Sequence, residues 1–298
     1  MKHILLTLAA AACAVSSHAQ IAQVTSTERL LAGVESEMYY PILNEDGSRV
    51  LFSACNYKGL RMYDFNDGVT VKISDEERAG FDASFTHDGR SVYYVSQKKV
   101  DGLNMRQVKQ YDIEDKTVTA LTPMGRKVSR PVALNDGMIV KVDGKSHGAV
   151  SGDDVTVRIE GSKLYIGHGG TEKAYSPVES YAGYLWASVS PDKTKVMFFA
   201  AGKGIYIVDL QGNVVSELGN YEAPVWYGND CVVAMNAKHN GYQHISSQIV
   251  MMRADGSEFQ ELTRPESMTM NPSASIHSGK IVYNTIDGRL YQMNITLK

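Results

Sequence analysis

The sequence predicts an all-β chain folded as a six-bladed β-propeller with four-stranded antiparallel blades. Two observations lead to this prediction. No stretch keeps a helical spacing of apolar side chains over three turns, while the 298 residues include 26 glycines, 17 tyrosines and many short β-branched runs. A hairpin-like unit also recurs about six times, at intervals near the roughly 40 to 50 residues of propeller repeats.

Each repeat unit is centred on a tight turn between two antiparallel strands. Such a turn needs residues that accept a positive φ. The turns are Asp46-Gly47, Asp88-Gly89, Asp136-Gly137, Pro191-Asp192, Asn229-Asp230 and Ser278-Gly279. A Pro or Ala stands four to six residues earlier, at Pro41, Ala83, Pro131, Ala187, Pro224 and Pro272. An apolar triplet after each turn, such as Val50-Leu51-Phe52, indicates a strand buried on both faces.

A third strand with a tyrosine and then a fourth strand complete most units, which makes one propeller blade. The tyrosines are Tyr63, Tyr111, Tyr165, Tyr206 and Tyr291. The blades are predicted at residues 36–74, 80–122, 130–176, 183–218, 221–263 and 268–298. A strand in residues 23–31 is expected to join the last blade. Pairing of the two chain ends closes the ring and removes an exposed sheet edge.

The repeat unit resembles those of TolB-type, WD40-like propellers. Leu121-Thr122 and residues 253–263 (RADGSEFQELT) carry the closest likeness, which covers almost all of residues 24–298. The resemblance implies a single propeller domain over residues 20–298, without the TolB N-terminal domain or a peptidase domain. No Gly-x-Ser-x-Gly motif is present. Propeller repeats serve scaffolds and enzymes alike, so the resemblance implies a fold and assigns no functional residue.

The third unit is irregular. Asp136 and Asp192 lie 56 positions apart, whereas Asp46 and Asp88 lie 42 apart. The polar, glycine-rich residues 144–154 account for the excess and predict a surface loop, either functional or merely tolerated. Residues 155–159 are compatible with an extra strand.

The N-terminus has the features of a secretory signal peptide. Lys2 precedes an apolar run over residues 4–15, and small residues precede a cleavage site near Ala19. Residues 1–19 are therefore interpreted as a signal peptide, with a lipid anchor at Cys13 as the alternative. A periplasmic, secreted or cell-surface location follows. Loss of Lys2 changes the formal charge from −3 to −4, which argues against nucleic acid as a partner.

The loops between second and third strands should lie on the same rim of the propeller as the links between blades. Ligands of such folds usually bind on that rim. The candidate ligand-binding residues are Tyr57, Lys58, Arg106, Tyr181, Tyr184, Trp226, His239, Tyr242 and His244. The tyrosines are expected to be exposed, while packing between blades is the alternative for Trp226. His239 and His244 are a weak metal-site alternative, because a metal normally needs three or four protein ligands.

These features predict a non-catalytic exported scaffold that binds a protein, peptide or glycan on its loop-rich rim. We expect a monomer with no cofactor, no metal and no transmembrane segment, and a peripheral association with the envelope is compatible with it. The alternative is a propeller enzyme acting in the central funnel, such as a metal-assisted polysaccharide lyase or a hydrolase.

Overall fold

The computed structural model describes residues 20–33, 37–150, 152–180 and 182–298. The predicted signal peptide and the alternative anchor at Cys13 lie outside these residues. The described residues form seven antiparallel sheets, the blades of a β-propeller. The predicted all-β class and propeller fold are therefore confirmed, and the prediction of six blades is wrong. No helix among the described residues is long and apolar enough to cross a bilayer.

The strands are numbered in chain order and grouped here by blade. Blade 1 contains β2 (Tyr39–Leu43), β3 (Arg49–Ser53), β4 (Leu60–Asp64) and β5 (Thr70–Ser74). Blade 2 contains β6 (Ser84–Phe85), β7 (Ser91–Val100), β8 (Leu103–Asp112) and β9 (Val118–Ala120). Blade 3 contains β10 (Val132–Ala133), β11 (Met138–Val142) and β12 (Lys145–His147), and blade 4 contains β13 (Thr156–Glu160), β14 (Lys163–His168) and β15 (Thr171–Tyr175).

The remaining blades have four strands each. Blade 5 contains β16 (Tyr184–Val189), β17 (Lys195–Ala200), β18 (Gly204–Asp209) and β19 (Val214–Gly219). Blade 6 contains β20 (Glu222–Tyr227), β21 (Cys231–His239), β22 (His244–Arg253) and β23 (Phe259–Glu261). Blade 7 contains β24 (Thr269–Ser275), β25 (Lys280–Thr285), β26 (Leu290–Leu297) and the N-terminal β1 (Ala22–Arg29). Two short 3₁₀ helices span Cys55–Tyr57 and Pro265–Ser267.

The blade count differs because the third predicted unit, residues 130–176, contains two three-stranded blades. The backbone N–H of Asn135, in the β10–β11 turn, donates to Asp154 Oδ1 over 3.3 Å, so β13 starts from the side of that turn. Strand direction then indicates that blade 3 lacks its outermost strand and blade 4 its innermost. Lys193 Nζ donates to Asn135 Oδ1 over 2.9 Å, so the turns of blades 3 and 5 meet beside the incomplete blade 4. The predicted extra strand at residues 155–159 is β13, the first strand of the added blade.

The core lies between neighbouring blades, because the apolar triplets face a sheet on either side. Val50, Leu51 and Phe52 of β3 are each at most 3% exposed. Leu51 packs in one cluster with Val92 and Tyr94 of blade 2. Burial of such triplets is the main favourable contribution to holding the sheets together.

The two chain ends share blade 7. Strand β1 pairs with β26 in antiparallel register, from Ala22 opposite Leu297 to Arg29 opposite Tyr291. Ala22 is fully buried, in a cluster with Ile281 and Met293. The expected closure by the N-terminal strand is therefore present.

The propeller has two rims of different construction. In the four-stranded blades, the turns between first and second strands and between third and fourth strands lie on one rim, which we call the turn rim. The hairpins between second and third strands and the links between blades lie on the other, the loop rim. The first strands β2 and β20 each contact β24 around the central channel, so the links lead directly into the channel mouth.

Candidate functional site: the loop rim and the channel mouth

Two hairpins extend the loop rim at blades 2 and 6. Strands β7 and β8 have 10 residues each, and β21 and β22 have 9 and 10, whereas β3 and β4 have 5. Four or five additional residues per strand add about 15 Å of hairpin. The loops expected between second and third strands are therefore largely strand in blades 2 and 6, at residues 97–109 and 236–246. The β7–β8 and β21–β22 hairpins therefore project from the loop rim, and their tips are exposed.

An irregularity recurs where the inner strands enter the channel. Tyr40, Trp186, Ala223 and Asn271 have positive φ between 48° and 56°, at bulges in β2, β16, β20 and β24. Asp82, with φ 62°, occupies the matching position before β6. Each is followed by the Pro or Ala of the repeat unit. Positive φ at non-glycine residues is unfavourable, and its concentration in one region often marks a functional site.

An aromatic cluster lies at the channel mouth between blades 1 and 2. The rings of Tyr40 and Tyr57 stack with centroids 3.8 Å apart, and Tyr57 meets Phe81 edge to face at 5.1 Å. The guanidinium of Arg78 lies 4.5 Å from the centroid of Phe81. Burial raises the pKa of Tyr57. The rings therefore use much of their flat surface on one another and on Arg78.

Asp82 lies beside this cluster with its carboxylate half-buried. Burial raises its pKa, while the positive charges of Arg130, Arg78 and Arg106 act in the opposite direction. Within the described parts of the chain, no hydrogen bond or ion pair engages the carboxylate. Arginines from three separate segments thus converge on one desolvated carboxylate at the entrance of the channel.

A pair of histidines lies at the end of the second hairpin. His239 and His244 are opposite each other in β21 and β22, with ring centroids 4.0 Å apart. His239 Nε2 lies 3.4 Å from Glu222 Oε1. Burial lowers the pKa of His244, and His239 lowers it further. Among the described residues, no group of three or more His, Cys, Asp or Glu side chains is arranged to hold a metal ion, so the pair offers fewer ligands than a usual site.

Some of the predicted ligand residues do lie on the loop rim. Tyr57 belongs to the aromatic cluster, and Lys58 is exposed with its Nζ 3.2 Å from Glu77 Oε1. Arg106 projects from β8 and donates through Nε to Gln97 Oε1 over 2.9 Å. Tyr242, at the tip of the second hairpin, is 98% exposed. Tyr57 and Arg106 are both on the blade 1 to 3 side, whereas Tyr242 is at blade 6.

Other predicted residues take structural positions. Tyr184 is only 4% exposed and donates from its hydroxyl to the Val178 carbonyl, so the expected exposure is wrong for this tyrosine. Tyr184 is the first residue of β16, and its ring packs edge to face against Phe198 of the neighbouring strand. Trp226 is near the turn-rim end of β20 and packs between blades 5 and 6, with Nε1 3.5 Å from the Ser188 carbonyl oxygen. Tyr181 lies outside the described residues.

Tyr40, Phe81 and Asp82 were not identified from the sequence. The available signal was positional, since Tyr40 and Asp82 directly precede the Pro or Ala of the repeat. That position leads into the channel in every blade with this bulge.

These features define the class of protein: a seven-bladed β-propeller with one elaborated rim. No family model matches the chain, and no curated protein matches it. Among solved structures, TolB from Acinetobacter baumannii is similar with a TM-score of 0.52 and 17% identity, over 80% of this chain. The chain spans 57% of that TolB chain.

Two further solved structures are similar over more of this chain. A chain of the Mitotic Checkpoint Complex gives a TM-score of 0.60 at 9% identity, over 99% of this chain and 98% of that one. The Myceliophteria thermophila Cps50 (Swd1) β-propeller domain gives 0.57 at 10% identity, over 92% and 100%. At these identities the comparisons show the fold alone, which includes TolB-type and WD40-type propellers.

Proposed function

We propose that this protein is a non-catalytic binding propeller that works outside the cytoplasm and holds a protein partner on its loop rim. The two long hairpins carry this proposal. They project on the same rim, past the residues of β7 and β21 that pair with β6 and β20. A macromolecule is large enough to contact both hairpins at once, whereas a small ligand in the channel is not.

The composition of the hairpin tips supports a partner-facing role. Tyr242 is almost fully exposed, and tyrosine is enriched at protein interfaces because it supplies a large contact area at low conformational entropy. Leu103 and Ile245, near the ends of the two hairpins, are 47% and 55% exposed. Exposed apolar side chains on both projections are suited to contact with another protein.

Site-specific photocrosslinking in cells that produce the protein tests the proposal. A photoreactive phenylalanine analogue replaces Tyr242 on the loop rim or, as the control, Val69 on the turn rim, which is 49% exposed. We expect a discrete adduct from the Tyr242 position and none from Val69. Adducts from the turn rim alone, or none from either hairpin tip at Tyr242 and Leu103, would contradict the proposal.

A further inference from the structure

The loop rim at blades 2 and 3 carries cations without acidic partners. The cations are Arg78, Lys98, Lys99, Arg106, Arg126, Lys127 and Arg130. In the described ranges, none has a carboxylate oxygen within 4 Å, and Arg106 contacts only the amide of Gln97. The neighbouring Lys109 is instead neutralised by Glu76, with Nζ and Oε1 2.8 Å apart. Seven cations in one region, without a salt-bridge partner among the described residues, give a local positive potential on a chain that is acidic overall.

The cations form one patch because the link before blade 3 runs beside the first hairpin. The backbone of Arg106 exchanges hydrogen bonds of 2.8 Å with Gly125, which brings residues 125–130 against β8. Arg78, Arg106 and Arg130 all act electrostatically on Asp82, so the three side chains surround that carboxylate. Lys98 and Lys99 extend the positive region along β7, Lys99 from the same face of the hairpin as Arg106 and Lys98 from the opposite face.

The acidic groups nearby offset only part of this charge, since Asp82, Asp101 and Asp143 are three carboxylates among seven cations. Asp143 accepts backbone N–H groups of Arg126 and Lys127 over 3.2 and 2.8 Å, so its carboxylate fixes the shape of the link. Asp82 is half-buried and desolvated. The positive charge therefore remains available to an external ligand.

The same region offers backbone for an extended chain. Strand β6 pairs only Ser84 and Phe85 with β7, opposite Tyr93 and Val92. Residues 97–100 of β7 therefore extend past β6 and leave a strand edge open toward the channel mouth. A free strand edge binds an extended peptide by adding a strand, while side chains beside it determine specificity.

We propose that an extended acidic segment of the protein partner binds along this edge of β7, with its carboxylates on the patch formed by residues 78, 98, 99, 106, 126, 127 and 130. This inference rests on the proposed function and names its ligand chemistry. An acidic polysaccharide is less well matched, because sugars stack on open aromatic faces. Here Tyr57 is stacked on Tyr40, and Phe81 is covered by Arg78.

Binding of a fluorescein-labelled decaglutamate peptide, measured by fluorescence polarisation, tests the inference. The patch variant combines Arg126→Glu, Lys127→Glu and Arg130→Glu. The control combines Lys163→Glu, Lys173→Glu and Lys203→Glu, three exposed lysines of blades 4 and 5 with the same total charge change. We expect the patch variant to weaken binding by about tenfold or more and the control to change it by less than about threefold, with unfolding temperatures unchanged in both.

The outcomes separate this inference from the proposed function. Equal weakening by the two variants would overturn the inference, because it would mean attraction by overall charge. Oligogalacturonate of the same charge binding as tightly as decaglutamate would overturn it in favour of an acidic glycan. A Tyr242 adduct that persists in the patch variant at full yield would also overturn it, yet would leave the loop-rim proposal standing. Loss of all loop-rim adducts in the unmodified protein would reject both.

Discussion

The turn rim and the loop rim use the same residue types in opposite ways. On the turn rim, aspartates accept backbone N–H groups two residues on, as Asp46 does from Ser48 at 2.7 Å and Asp209 from Gln211 at 2.9 Å. Neighbouring turns are also joined, for example by Ser275 Oγ, which donates to the Glu45 carbonyl. The loop rim instead has a carboxylate at Asp82 and a set of cations at blades 2 and 3 that form no ion pair with any residue that the structure describes.

The pKa shifts of the aspartates follow this division apart from Asp75, on the loop-rim link after β5, whose pKa is lowered by a hydrogen bond from Lys72. A hydrogen bond from Ser48 lowers the pKa of Asp46, and one from Thr86 lowers that of Asp88. Burial raises the pKa of Asp82 on the other rim. Turn-rim aspartates therefore contribute stability through satisfied charges, whereas the loop rim has the desolvated Asp82 carboxylate beside its ion pairs, which supports the proposed binding role.

The largest expected effect is at the turn rim, in the substitution Gly47→Ala. Gly47 has φ +69°, and an added Cβ would lie 1.9 Å from Ser278 Oγ in the adjoining turn of blade 7. The left-handed conformation and this overlap should together lower the free energy of unfolding by about 3 kcal/mol, measured by urea denaturation.

Gly137→Ala is the matched control for that substitution. Gly137 has φ +85° in the corresponding turn of blade 3, with nothing within 4 Å of an added Cβ. Only the conformational penalty of about 1 kcal/mol is expected there. Equal losses of unfolding free energy in the two variants would contradict the prediction, because they would show that the turns of blades 1 and 7 accommodate the added methyl group without cost.

Asp88→Ala tests the charged turns with a smaller effect. Asp88 Oδ1 accepts from Thr86 Oγ1 at 2.6 Å and from the Arg90 backbone at 3.0 Å. Its removal should lower the free energy of unfolding by about 1 kcal/mol at pH 7. Because the folded pKa is lowered, this stability exists above the unfolded value of 3.8 and is lost as the pH falls through the folded pKa. Unfolding temperatures of the two proteins should converge on acidification. A constant difference from pH 7 downward would contradict the role of the charge.

The sequence predicted the regular part of the ring because each complete blade repeats one turn signal. Val50 and Val196, in the triplets after two of those turns, are fully buried in β3 and β17. Blade 4 has no innermost strand, so its sequence contains no Pro followed by an Asp-Gly turn from which a blade could be predicted. Tyr165, interpreted as the third-strand tyrosine of one unit, instead lies in β14 of the added blade. Because blade 4 lacks its innermost strand, the turn signal from which the blades were counted is absent there.

The candidate site was predictable only in its location. Topology alone places Lys58, Arg106 and Tyr242 on the loop rim, since hairpin positions follow from strand order. The environment of Asp82 depends on segments far apart in the chain, and no local pattern indicates their convergence. The burial of Tyr184 was missed for a similar reason, because it depends on Phe198 of the neighbouring strand.

Asp82→Asn has the smallest expected effect and the opposite sign. Folding raises the pKa of Asp82, so the folded protein loses stability as the pH rises from the unfolded value of 3.8 through the raised value. Asparagine has no such charge and tolerates the left-handed conformation as well as aspartate does. The variant should therefore gain about 0.5 kcal/mol at pH 7 and nothing at pH 3, in parallel urea titrations. Asp82→Ala, which adds conformational strain, should not share the gain. A variant less stable than the unmodified protein at pH 7 would mean that the Asp82 carboxylate holds the surrounding arginines in place, and the contrast between the two rims would then fail at its central residue.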